Sequence, residues 1–241
     1  MGDVYRRSSR TAEERIRPST IRAVSDAKTF TISGPAGKLE VAVRTAASPR
    51  AVAVLAHPHP LYGGTMHNPV IFHADRELSR AGLTTLRFNF RGIGASEGFH
   101  DDGRGEVGDV AAASAYARSL SPSVPLILVG YSFGSRCAVE HALHGGDDVA
   151  AIVAIGLPLR IWRFEGLEDW HRPFGVVQGT EDEFGSIDEV RARIAKMEPP
   201  GRLYTVEGAT HLFPGRAPEA AALVVTAVDE ALGARWPQAC W

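Results

Sequence analysis

From residue 29 onward the chain alternates short apolar runs with longer stretches of mixed apolar and polar residues. AVAVLA over 51–56 and LILVG over 126–130 are apolar almost throughout, the pattern of strands covered on both faces. TTLRFNF over 84–90 reads as another strand, and the series continues over 149–155, 175–178 and 202–206. Two further runs, 29–33 and 39–44, flank Gly34-Pro35-Ala36-Gly37 and predict a hairpin-like start. Helices are predicted between the strands, over about 68–80, 105–120, 133–143, 187–197 and 218–232. Apolar strands alternating with helices predict an α/β fold, with a mostly parallel central sheet flanked by helices on both faces. Only about twenty residues separate the run ending at 155 from the run starting at 175, which leaves room for a short cap only. The chain shows no internal repeat and no low-complexity tract.

The first 28 residues differ. They hold Arg6, Arg7, Arg10, Arg15, Arg17 and Arg22 and few large apolar residues. Residues 1–28 therefore read as an N-terminal basic extension, and 29–241 as the folded domain. The extension is either a loosely docked segment or an arm over a site or partner, and the residues themselves do not choose. A chain of 241 residues is long enough to bury a single core. Its net charge of −2 speaks against a nucleic-acid binder, which carries a strong basic excess. No apolar run approaches the roughly 20 residues of a membrane span. Residues 1–10 lack the apolar stretch of a secretory signal, so a cytoplasmic location is expected. Two cysteines, Cys137 and Cys240, make no disulfide framework, and Cys137 reads as a small core residue. Oligomeric state is left open.

Gly130-Tyr131-Ser132-Phe133-Gly134 matches G-x-S-x-G between a predicted strand and a predicted helix. At such a tight turn the glycines relieve crowding, and the serine projects beside a helix N-terminus, where backbone N–H groups favour developing negative charge. A serine that merely caps the helix is the plain alternative. A serine nucleophile needs a base and an acid. Of the later histidines, His141 and His144 lie on the helix that starts at the serine, and His171 lies in a Trp-rich connection. His211 follows the last strand, where a loop at the carboxyl edge of the sheet reaches the serine, and is the candidate base. The acid should follow the run 175–178, where Glu181, Asp182 and Glu183 stand in a row. Asp182 is preferred because it sits on a loop after a glycine turn, with the other two kept open.

The chain resembles the α/β-hydrolase superfamily over about residues 29–232. It is most similar to compact bacterial serine hydrolases with an H-P-H-P-x-x-G-G-T-M segment, here His57-Pro58-His59-Pro60-Leu61-Tyr62-Gly63-Gly64-Thr65-Met66. The stretch RFNFRGIGASEG over 87–98, the acid loop Gly179-Thr180-Glu181-Asp182-Glu183 and the loop Gly208-Ala209-Thr210-His211 complete the likeness. The resemblance implies that the loop after 51–56 supplies an oxyanion-hole N–H. Pro58 and Pro60 have none to give, so His59 is the expected donor with Leu61 next, and Phe133 supplies the second. Two departures stand out: Glu183-Phe184-Gly185 follows the acid where Val or Pro is common, and the basic extension has no counterpart.

His57 and His59 lack a third metal ligand, and Gly92, Gly94 and Gly98 have the wrong spacing for a dinucleotide fingerprint, so no metal and no cofactor is expected. Ser96 lacks the turn a nucleophile needs. Leu61, Tyr62, Trp162 and Phe213 are candidate pocket walls, while Phe164 and Trp170, in the same short connection as Trp162, suit packing or the pocket. The expected function is serine hydrolysis of a small-molecule carboxylic ester or thioester. Acyl transfer, cyclisation or peptide cleavage with the same triad, or a non-catalytic accessory role on the same scaffold, are the alternatives.

Overall fold

The computed structural model describes residues 26–233. The basic extension up to residue 25, and Cys240, lie outside the described residues. Strands β1 (Lys28–Gly34) and β2 (Gly37–Arg44) form the antiparallel hairpin, and β2 pairs antiparallel with β4 (Thr84–Phe88). All other pairings are parallel: β3 (Val52–Ala56), β5 (Leu126–Tyr131), β6 (Val149–Ile155), β7 (Phe174–Gly179) and β8 (Arg202–Val206). The order is β1-β2-β4-β3-β5-β6-β7-β8. The chain steps from β3 to β4 on one side and then to β5 on the other. That reversal opens a crevice beyond the carboxyl ends of β3 and β5, the usual ligand position in such sheets.

Period-two alternation splits the strand side chains between two cores. Val52, Val54, Leu126 and Leu128 face the core shared with α2 (Arg104–Leu120), α3 (Phe133–His144) and α4 (Ile187–Ile194). Ala53, Leu55, Ile127 and Val129 face α1 (Pro69–Arg80) and α5 (Ala217–Leu232). Because both faces are covered, the strands read as continuous apolar runs. Several boundaries shift by one to three residues from the sequence pattern, and at two of them the cause is visible. Helix α4 stops at Ile194 rather than near 197, because Pro199 and Pro200 follow and the Gly201 N–H turns back onto the Ile194 carbonyl. Strand β4 stops at Phe88 rather than 90: the Asn89 N–H still donates to the Glu40 carbonyl of β2 at 2.9 Å, but Asn89 Oδ1 and the Phe90 N–H turn to a neighbouring loop. No described helix is long and apolar enough to cross a membrane.

That loop, 57–68, is held by residues at the end of β4. The Met66 N–H donates to Asn89 Oδ1 at 2.7 Å, and Arg87 Nη1 donates to the Met66 carbonyl at 2.8 Å. The Phe90 N–H donates to His57 Nε2 at 3.1 Å, while His57 Nδ1–H donates to the Pro58 carbonyl at 2.6 Å. Behind them lies a buried charge cluster. Asp75 of α1 accepts from Arg44 Nε at 2.8 Å, Arg87 Nε at 3.1 Å and Thr85 Oγ1 at 2.5 Å. Burial of these groups is tolerable because each charge meets an opposite charge within hydrogen-bond distance.

Asp75→Ala leaves two buried guanidinium groups facing each other and should lower unfolding stability by about 3–5 kcal/mol in urea titrations; a loss under about 1 kcal/mol would show that the cluster is solvated. Burial pushes His57 down to about 4, helped by His59 and opposed by the bond to Pro58. The unfolded chain then takes up the His57 proton near pH 6.5 while the folded one does not. Stability present above pH 6.5 should be lost as pH falls to about 4, and His57→Gln should flatten that slope by up to about 3 kcal/mol.

Candidate active site

Ser132 sits between the last residue of β5 and the first of α3, at φ 53° and ψ −112°. Few non-glycine residues adopt positive φ, and such strain persists only where the surroundings enforce it. Here the crowding is explicit. A Cβ at Gly130 would lie 2.4 Å from the Gly134 carbonyl oxygen, and one at Gly134 would lie 2.3 Å from the Ala56 oxygen of β3. The Ser132 N–H is tied to the Ile155 carbonyl at 2.8 Å, and its own carbonyl accepts from Ser135 Oγ at 2.6 Å. The hydroxyl makes no helix cap. It points to His211, with Oγ 2.8 Å from Nε2.

His211 lies after β8. Its Nδ1 is 2.9 Å from Asp182 Oδ2 and 3.1 Å from Oδ1. With Nδ1–H given to the carboxylate, Nε2 keeps its lone pair for the serine hydroxyl. The His211 backbone is held at both ends: its N–H donates to Glu183 Oε2 at 3.1 Å, and its carbonyl accepts from Tyr131 Oη at 2.8 Å. Burial, with the charges of Asp182 and Glu183, pushes the Tyr131 phenol up, so it stays a donor. A side chain at Gly156 would press within 3.0 Å of His211 Cε1. The ring of Phe184 meets the imidazole edge-on at 4.7 Å.

The three adjacent acids are separated by what they touch. Asp182 is buried and meets the imidazole, while Glu181 and Glu183 are exposed and only Glu183 meets the His211 backbone. Asp182 also accepts from Phe184 N–H at 2.9 Å and from Gln178 Nε2 at 2.9 Å. Gln178 is fully buried at the end of β7. Its amide also donates to the Gly185 carbonyl at 2.8 Å and accepts from the Leu157 N–H at 2.8 Å, joining the acid loop to the end of β6. Gln178 was invisible in the sequence, because its position in an apolar run marks only a strand.

Among the described residues, the backbone N–H groups of Phe133 and His59 meet no acceptor. The two residues adjoin, with ring centroids 4.8 Å apart, and α3 presents its N-terminus there. The expectation that Leu61 is the next donor is not met: its N–H is taken by His59 Nδ1 at 3.2 Å. Beside Ser132 opens a cleft of about 720 Å³, walled by Tyr62, Pro158, Ile161, Trp162, Phe184 and Leu212. Tyr62 and Trp162 stand where the sequence reading put them. Leu61 does not: the short 3-10 turn Pro60–Tyr62 carries it outward, 67% exposed and off the wall. Phe213 does not either. It is buried in the core, 6.0 Å from the Tyr131 ring, and Leu212 takes the wall position instead. Phe164 and Trp170 pack in the core. Ser96 bridges the Asn89 carbonyl and the Glu40 N–H, a structural task, and both ring nitrogens of His57 are engaged in the loop.

The geometry has counterparts. Residues 49–222 match the family described as alpha/beta hydrolase domain. An uncharacterised protein of Rickettsia prowazekii is 34% identical over 170 residues, which span 68% of this chain and 71% of that one. Among solved structures, an alpha-beta serine hydrolase homologue from Coxiella burnetii shares 33% identity at a TM-score of 0.77, over 85% of this chain and 99% of its own. A serine hydrolase described as lacking a lid, from Xanthomonas campestris, shares 29% identity at a TM-score of 0.77, over 90% and 98% of the two chains. With the family match covering well over half its length, this chain belongs to the α/β-hydrolase family.

Proposed function

We propose that this protein is a serine hydrolase that cleaves a carboxylic ester or thioester through an acyl-enzyme on Ser132. The observation that carries the reading is the unbroken hydrogen-bonded line from Asp182 through His211 to a strained, uncapped Ser132 hydroxyl at the edge of an open cleft. Ser132 Oγ attacks the substrate carbonyl carbon while His211 Nε2 takes the hydroxyl proton. Asp182 holds the imidazole in the required tautomer and stabilises its charged form. The carbonyl oxygen becomes an oxyanion, received by the N–H groups of Phe133 and His59. Collapse expels the alcohol or thiol, which leaves with the proton from His211. Water, deprotonated by His211, then attacks the acyl carbon and releases the acid and free Ser132. Within the family we place the chain with the compact bacterial hydrolases bearing the HPHP loop, since its His57–Met66 and 87–98 segments interlock.

A fluorophosphonate probe should label the wild type and leave Ser132→Ala unlabelled. Ser132→Ala and His211→Ala should each lower turnover of short-chain esters by several orders of magnitude. An unlabelled, folded wild type, or turnover that survives both changes, would sink the proposal. Gln178 acts through Asp182 as a positioning residue. Gln178→Leu should lower kcat by about 10²-fold with KM little changed, and Gln178→Glu should distort the pH profile by setting a second carboxylate beside Asp182. Two variants with wild-type kcat and pH profile would reduce Gln178 to core packing.

A further inference from the structure

The side chains of the cleft wall are apolar apart from the catalytic groups, His59, Asn68, the tyrosines Tyr62 and Tyr131, and one carboxylate, Glu183. Among the described residues, no lysine or arginine lines it. Glu183 is held there rather than free to swing away, because Oε2 accepts the His211 N–H at 3.1 Å. Partial burial works against its ionisation, but the backbone N–H groups of Glu183 and His211 outweigh this and hold the carboxyl below its ordinary range. Arg160 is close by, yet its Nη1 donates to the Glu183 carbonyl and its Nη2 pairs with Glu189 at 3.0 Å. On the other side Arg136 lies over the Trp162 ring, donates to the Asp102 carbonyl and faces Glu140 at 3.7 Å. Beyond His59 stands His100, whose Nδ1 is 2.7 Å from the buried Glu106. A substrate carboxylate entering this cleft would meet a like charge and no counter-cation on the wall.

We propose that Glu183 is a specificity-determining residue that favours neutral or cationic esters over those that also carry an ionised carboxylate. The inference rests on the hydrolase reading of the same site. Like charges about 8 Å apart in a half-solvated cleft should cost an anionic substrate roughly tenfold in kcat/KM.

The test compares matched substrates near neutral pH, where the extra carboxyl is ionised. Dimethyl adipate against monomethyl adipate carries the charge on one side of the ester, and methyl 3-acetoxybenzoate against 3-acetoxybenzoate carries it on the other. Wild type should prefer the neutral member. Glu183→Gln keeps an oxygen for the His211 N–H and removes the charge, so it should shrink the neutral-to-anionic ratio by roughly tenfold in at least one pair. Raising salt from about 0.05 M to about 1 M should move the wild-type ratio the same way and leave the variant's ratio in place. Turnover of the neutral esters with equal ratios in wild type and variant would overturn this inference and leave the hydrolase reading standing. Turnover of no ester by the wild type would overturn both.

Discussion

Strand β5 runs into helix α3 with no linker, and the chain must turn from strand to helix within a single residue, Ser132. That residue takes a backbone conformation that side chains normally avoid. The turn closes only because the end of β5 lies against the first turn of α3, and that turn against the end of β3, so closely that positions 130 and 134 tolerate no side chain. Close approach puts the free N–H of Phe133 beside the loop that follows β3. The strained turn is therefore also what brings a candidate nucleophile and two unpaired donors to one place.

A turn under strain needs rigid surroundings, and the rigidity is polar. On one side the buried Asp75 cluster ties α1 to β2 and β4, and Arg87 and Asn89 hand the constraint on to Met66. On the other, Gln178 locks the acid loop to the end of β6, while Tyr131 and Glu183 fix the His211 backbone. Apart from the exposed Glu183 each group is buried, and each finds a partner within 3.2 Å. Loops so held keep their geometry without a ligand, which is the preorganisation that charge development at a reacting centre requires.

The layout of the fold was legible in the chain because both faces of the sheet are covered. Full burial forces continuous apolar runs, and the helices between them carry the complementary periodicity. Leu61 and Phe213 were misread for a shared reason. Each stands next to a true wall residue, Tyr62 and Leu212, and a local turn decides which of two adjacent apolar side chains faces the cleft. Hydropathy carries no sign for that choice.

By itself the sequence determined the strand–helix order, the G-x-S-x-G turn and the order of serine, acid and histidine, since these depend on local sterics and on chain direction. Only the tertiary structure decided which of three consecutive acids meets the imidazole. It alone showed that Gln178, hidden in a strand, carries that acid, and that Glu183 is the carboxylate on the cleft wall. Those outcomes turn on a few ångströms between segments distant in the chain, and such distances leave no mark on the pattern of apolar and polar residues.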